Sequence, residues 1–297
     1  SEHMDYHKTW DNYCNAKSLL ITEHLKKEGS VTLNRDDKSY ELLSTLTSSY
    51  IDYSISQKAR IQASEIVEES NRIRFKLNGV DASLQMLGKY NVSNFLCAVS
   101  MCLKEGVSIE SSLRSMNNFT PVSGRMEILK NTPFVVIVDF AHTSNALLNA
   151  LDSARNLKGK EGKVIHVFGC AGLRDTSKRY EMGKISRRYA DITILTAEDP
   201  RLESLKEIND EITRGWEESE NKNAKLIRYD DDSLNVKIRK DALLKAFSIA
   251  KEGDVVIVTG KAHEESLCFG QKEYEWNDIK EVKKILKEDS NISSCQS

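Results

Sequence analysis

Two rhythms of apolar spacing divide the chain near Ser123. Downstream, short apolar runs alternate with longer stretches in which apolar residues return once per helical turn. The runs predict strands over 134–139, 163–168, 191–196, 225–228 and 254–259. The stretches between them predict helices over 144–157, 178–189, 204–217 and 234–251, the third with Leu205, Ile208, Ile212 and Trp216 on one stripe. Strands separated by helices of this length pair in parallel. An α/β fold with a doubly wound, mostly parallel, Rossmann-like sheet is therefore expected here.

Upstream the pattern is mixed. "HKTWDNYCNAKSLLITEHLKKEG" predicts a helix with Trp10, Tyr13, Leu19 and Leu20 as its apolar positions, closed by Gly29. "GSVTLNRDD" reads as a strand entering an Asn/Asp turn. "RIRFKLNGVDASLQMLG" alternates like a hairpin around Asn78-Gly79. "NVSNFLCAVSMCLKEG" is an amphipathic helix with Val92, Phe95, Leu96, Val99 and Leu103 on one face and Gly106 at its end.

Charge and composition narrow the classes. In 297 residues, 43 Lys and Arg nearly balance 45 Asp and Glu, which does not favour a nucleic-acid partner. The apolar runs are strand-length, so no membrane span is expected, and the polar start "SEHMDYHKTWDNY" does not read as a signal peptide. The cysteines at 14, 97, 102, 170, 268 and 295 lack CxxC spacing and suit a reducing, cytoplasmic setting.

Four polar segments follow predicted strands: "DFAHT", "GCAGLRD", "TAEDPR" and "GKAHEE". In a doubly wound sheet all four fall on the carboxyl edge, where ligands bind. Each also has a plain reading. Glycines after a strand often only make the turn, and "EDPR" can be a strand-ending turn. His263 and Glu264 can start a helix, and Lys17 can be a solvated helix residue. Neither GxGxxG nor the phosphate loop GxxxxGK[ST] occurs in the chain. Against the plain readings stands the guanidinium of Arg174 or Arg201, which matches a carboxylate bidentately.

Taken together and in order, these segments resemble the Mur ligases, in particular those that add an amino acid to UDP-N-acetylmuramoyl-L-alanyl-D-glutamate. The resemblance covers nearly the whole chain. It rests on "SEHMDYHKTWDNYCNAK", "GKYNVSNFLCAVSM", "SGRMEIL", "VDFAHTSNAL", "VFGCAGLRDTSKRYEMG", "TAEDPR" and "GKAHE". It implies a partial α/β ATPase domain over 1–122, lacking its phosphate-loop half, and a carboxy-terminal ligase domain over 123–297. The chain is thus expected to be the rear part of a longer enzyme, inactive alone.

The resemblance implies ATP and Mg²⁺ as cofactors. Asn94, Arg125, Asp139 and His142 would line the nucleotide, with Asp139 on the ribose and Arg125 toward the phosphates. His3 and a carbamylated Lys17 would serve the magnesium. Arg174, Glu198, Asp199, Arg201, Gly260 and Glu264 fall at positions that hold the incoming amino acid. The arginines would take carboxylate and Glu264 the distal amine. The partners implied are a UDP-N-acetylmuramoyl-dipeptide and a free amino acid, and a monomer is expected. Asp199 departs from the diaminopimelate-type motif D-N-P-R, as does Glu198. Asp199 is expected to neutralise Arg201 and so to make a distal ammonium tolerable, with meso-diaminopimelate still favoured over L-lysine. The competing readings are a folylpolyglutamate- or cyanophycin-type ligase of the same superfamily, and a non-catalytic Mur-like binding protein.

Overall fold

The computed structural model describes residues 4–69, 71–116 and 119–294, so His3 lies outside the described residues. The chain forms two compact units, Ser1–Pro121 and Val122–Ser297.

The first unit opens with α1 (Met4–His7) and α2 (Trp10–Thr22). Thr9 caps α2 by accepting from the Asn12 amide at 3.2 Å. This helix is shorter than its sequence predicts. After Thr22 the chain winds into a turn, which the Gly29 amide closes on the Lys26 carbonyl at 2.8 Å. Its expected apolar face is not buried in this unit either. Only Cys14 is buried, while Leu20 is 62% exposed.

Next come β1 (Val31–Asn34), α3 (Tyr40–Leu43), β2 (Tyr50–Ser54), β3 (Ile61–Glu68), β4 (Ile73–Leu77), β5 (Val80–Leu84), α4 (Lys89–Lys104) and α5 (Ile109–Met116). The sheet runs β1-β2-β3-β4-β5, parallel as far as β3 and antiparallel beyond it. The β4–β5 hairpin turns at Asn78-Gly79 as expected, both with positive φ. Helix α4 lays Val92, Leu96 and Val99 onto the sheet, where Ile61, Ile73, Phe75 and Leu77 complete the core.

The second unit contains β6 (Glu127–Lys130), β7 (Val135–Asp139), α6 (Ser144–Leu157), β8 (Val164–Phe168), α7 (Ser177–Tyr189), β9 (Ile192–Leu195), α8 (Leu205–Glu217), β10 (Lys225–Arg228), α9 (Val236–Ile249) and β11 (Val255–Thr259). A small hairpin of β12 (Ser266–Phe269) and β13 (Lys272–Glu275) precedes α10 (Asp278–Ser294). The main sheet has the order β10-β9-β8-β11-β7-β6, parallel except for the edge strand β6. The expected doubly wound sheet is present, and its five parallel strands lie where the apolar runs predict them.

Strand order fixes where the helices go. From β7 through β10 the chain steps outward, so right-handed crossovers put α6, α7 and α8 on one face, where they pack against one another. The return from β10 to β11 reverses direction, and α9 lies on the opposite face with α10. Val136, Val138, Ile165, Val167, Ile194, Val256 and Val258 are fully buried between the strands and the α9–α10 layer. Because strands covered on both faces expose nothing, all four polar segments project from a single edge, at the carboxyl ends of β7, β8, β9 and β11.

Candidate active site at the sheet's carboxyl edge

The loop after β11 is the centre of the arrangement. Gly260 has φ +108, and a Cβ there would lie 2.3 Å from Glu198 Oε2. Glycine is therefore required both for the backbone conformation and for the approach of the Glu198 carboxyl. The next residue, Lys261, is only 2% exposed and turns its ammonium inward between two carboxylates. Its Nζ lies 2.8 Å from Asp199 Oδ1 and 2.6 Å from Glu264 Oε2.

This triad alters two expectations. Asp199 does not pair with Arg201. Its Oδ1 accepts from Lys261 and, at 2.9 Å, from the Cys268 amide. Glu264 already holds an internal ammonium, although its side chain remains 40% exposed. Lys261 was legible only as a letter in "GKAHEE"; its partner Asp199 is 62 positions away, and no local spacing signals that contact.

Arg201 sits on the same small frame. Its amide donates to the Cys268 carbonyl at 3.2 Å and its carbonyl accepts from Gly270 at 2.7 Å, so its backbone is fastened to the β12–β13 hairpin. Residues Asp199 and Arg201 both take positive φ, 46° and 56°, on either side of Pro200. No ion pair engages the Arg201 or Arg174 guanidinium among the described residues, and Arg174 is exposed. The Arg174 loop is tied to the Asp199 loop by the Gly172 amide, which donates to the Asp199 carbonyl at 2.9 Å, and by the Leu173 amide, which donates to Glu203.

Glu198 lies beneath these loops, 6% exposed, with Oε2 buried and unpartnered. Burial pushes its carboxyl up to about 8, against the pull of Lys178, Arg239 and Lys261, so at neutral pH the protonated form dominates. The sequence places it among the groups that touch the amino acid; in the structure it forms the floor under Gly260.

The loop after β7 has its own frame. Asp139 accepts from the Met126 amide at 2.8 Å through Oδ2 and from the Ala141 amide at 2.8 Å through Oδ1. Its burial pushes the carboxyl above the usual range, partly offset by those two amides and by Arg125. Asp139 thus clamps the Arg125 turn onto the end of β7. The exposed Arg125 guanidinium lies over the Phe140 ring, 4.9 Å from its centroid, and the His142 and His263 rings pack on the same Phe140 at 4.7 and 4.8 Å. Lys178, from the first turn of α7, reaches the His142 carbonyl at 2.7 Å. Arg125, His142 and Lys178 therefore bring positive or donor groups to one end of the edge, a setting suited to an anion.

Behind both loops, Arg239 and Asp278 form a buried pair that sequence reasoning missed. Arg239 also donates to the Ala197 carbonyl at 2.8 Å and to the Thr259 carbonyl at 2.9 Å, the points where β9 and β11 give way to the site loops. Asp278 in turn accepts from the Ala262 amide at 3.2 Å and the Trp276 indole at 2.8 Å.

Comparison with known proteins fixes the family. Residues 1–102 match the Mur ligase middle domain, and residues 124–262 match the family described as Mur ligase, glutamate ligase domain. The chain belongs to the Mur ligase family.

Among curated relatives of this Mur ligase chain, the UDP-N-acetylmuramoyl-L-alanyl-D-glutamate–2,6-diaminopimelate ligase of Clostridium tetani is 33% identical over 97% of the chain and 57% of that protein. The ligase of the same name from Aquifex aeolicus is 34% identical over 98% of the chain and 58% of that protein. The chain thus spans rather more than half the length of the curated relatives it matches. A solved pseudomurein peptide ligase type C from Methanothermus fervidus shares the fold at a TM-score of 0.68 and 14% identity, over 97% of this chain and 61% of that one. A solved 2,6-diaminopimelate ligase gives a TM-score of 0.60 at 23% identity, over 98% of this chain and 59% of that one.

In the middle domain, Asn94 is exposed in the second turn of α4 rather than at its start, and its amide donates to Asn91 Oδ1 at 3.2 Å. Lys17 is exposed on α2, with Nζ 5.6 Å from the Tyr13 ring centroid. Among the described residues no three His, Cys, Asp or Glu side chains converge where a metal ion could sit. An ammonium is no metal ligand, so Lys17 would have to be carbamylated to offer Mg²⁺ an oxygen. No described helix is long and apolar enough to cross a membrane.

Proposed function

We propose that this chain serves an ATP-dependent Mur ligase that joins 2,6-diaminopimelate to UDP-N-acetylmuramoyl-L-alanyl-D-glutamate through an amide bond. The observation that carries the reading is the pair of uncommitted guanidiniums, Arg174 and Arg201, on strand-end loops in a chain whose curated relatives bear that name. In this reading Arg174 and Arg201 take the carboxylates of the incoming amino acid. Glu264 receives its distal amine, and Asp199, Gly260 and Glu198 shape the pocket around them.

The nucleotide groups are Asn94, Arg125, Asp139 and His142. ATP phosphorylates the acceptor carboxylate, the amine attacks the acyl phosphate, and the tetrahedral intermediate expels phosphate. Arg125 and its neighbours would offset the negative charge that accumulates on the transferring phosphoryl group. Lys17, exposed on α2, is assigned the carbamate that would offer an oxygen donor to magnesium.

The test is a chimera. This chain is joined to the part of the Clostridium tetani ligase that lies outside the matched region. Phosphate release is then followed with ATP, the UDP-dipeptide and diaminopimelate. Release that requires all three substrates supports the reading. Release that is indifferent to the amino acid refutes it.

A further inference from the structure

Two acidic side chains and one buried lysine decide what charge the amino-acid pocket presents. Asp199 and Glu264 both point at Lys261, which lies 2.8 and 2.6 Å from them and is almost wholly buried. The Asp199 carboxylate is further fixed by the Cys268 amide at 2.9 Å, while Arg201 is fastened to the Cys268 carbonyl at 3.2 Å. One residue, Cys268, thus anchors both the Asp199 side chain and the Arg201 backbone. The acid goes inward to Lys261, and no ion pair engages the guanidinium among the described residues.

We propose that Lys261 is the specificity-determining positioning residue of this pocket: by holding Asp199 it keeps Arg201 available to a distal carboxylate. The inference rests on the ligase reading above and deepens it, because it names the class of amino acid admitted. Without the lysine, Asp199 would be an unpaired carboxylate two residues from an unpaired guanidinium, and the two would neutralise each other. The pocket would then have lost its anion receptor and kept Glu264, an arrangement suited to L-lysine. With Lys261 present, a diamino acid carrying a carboxylate at its far end meets Arg201, while its distal ammonium meets the exposed side of Glu264. L-lysine brings only the ammonium and leaves Arg201 unmatched.

The experiment measures dissociation constants of meso-2,6-diaminopimelate and L-lysine for the 297-residue chain by calorimetry, in the unaltered protein, Lys261→Met, Asp199→Asn and the double variant. The unaltered chain should prefer diaminopimelate. Lys261→Met should lower that preference by about tenfold or more, and adding Asp199→Asn should restore most of it, because the competing carboxylate is gone. A lysine whose role is only to fill space would not be rescued by a change in its partner's charge.

An unchanged preference in Lys261→Met, or no recovery in the double variant, overturns the inference while leaving the ligase reading intact. A chain that prefers L-lysine removes the diaminopimelate reading and the inference together. One that binds neither amino acid overturns the inference, and the ligase reading then stands or falls with the chimera. If Lys261→Met does not fold, Lys261→Gln replaces it under the same outcomes: the diaminopimelate preference must fall, and it must recover when Asp199→Asn is added.

Discussion

Arg239 and Asp278 meet side by side in the core of the second unit, Nε to Oδ1 at 2.8 Å and Nη2 to Oδ2 at 2.7 Å, with both side chains fully buried. The pair joins α9 to the first turn of α10 and reaches the carbonyls of Ala197 and Thr259. It therefore sets the exit directions of the two loops that carry Asp199 and Lys261. Breaking a buried pair leaves one charge unmatched, at a cost of about 3–5 kcal/mol. Asp278→Ala is expected to lower stability by that order, read as a shift in the denaturation midpoint at unchanged slope. A loss under about 1 kcal/mol would show that the pair does not carry the loops.

Glu198 makes stability depend on pH in a defined direction. Its folded carboxyl stands at about 8, against an ordinary value of 4.5. The folded chain therefore keeps a proton that the unfolded chain releases. Between pH 4.5 and about 8 this group lowers stability as pH rises, with a limiting slope of roughly 1.4 kcal/mol per pH unit, and above that window its effect is constant. Glu198→Gln, which cannot ionise, is expected to be more stable than the parent at pH 8 and to lose that part of the slope. Unfolding titrations of both proteins from pH 5 to pH 9 check it; parallel curves would mean that Glu198 is solvated or paired.

Gly260 tests the close approach on which the pocket floor depends. An alanine there must accept φ +108 and place its Cβ 2.3 Å from Glu198 Oε2. Backbone strain of about 1–3 kcal/mol is expected, together with displacement of the Glu198 carboxyl. Gly260→Ala should weaken diaminopimelate binding more than nucleotide binding, because Arg125 and His142 are held by a separate frame around Phe140. Equal losses for both ligands would contradict that separation.

How much of this could be read in advance depends on the range of the interaction. The five parallel strands and the helices between them follow from periods a few residues long, and the site edge follows from their order. Strands β12 and β13 were not expected, since "SLCF" and "KEYE" are too short and mixed to show alternation, and their pairing owes more to the Gly270 turn and the Arg201 frame. The apolar spacing of α2 predicts a buried face that this unit does not provide for Leu19 and Leu20. Lys261–Asp199 and Arg239–Asp278 join residues 62 and 39 positions apart, and nothing local in "GKAHEE" or around Arg239 announces them. Those two pairs fix how the loops at the carboxyl ends of β9 and β11 are held.

Lys17 offers a prediction that needs no turnover. It is exposed on α2 beside the Tyr13 ring, where carbon dioxide can reach the amine. A neutral amine adds carbon dioxide to give a carbamate, which exchanges the positive charge for a negative one. The chain equilibrated with ¹³C-bicarbonate at mildly alkaline pH should show a carbamate carbonyl resonance that is absent in Lys17→Ala. A resonance that persists unchanged in Lys17→Ala would assign the chemistry to another amine. In the chimera, Lys17→Ala should then cut turnover strongly and leave the affinity for the UDP-dipeptide nearly unchanged, since the side chain is assigned to magnesium and not to the sugar. Full turnover in that variant would remove Lys17 from the active site.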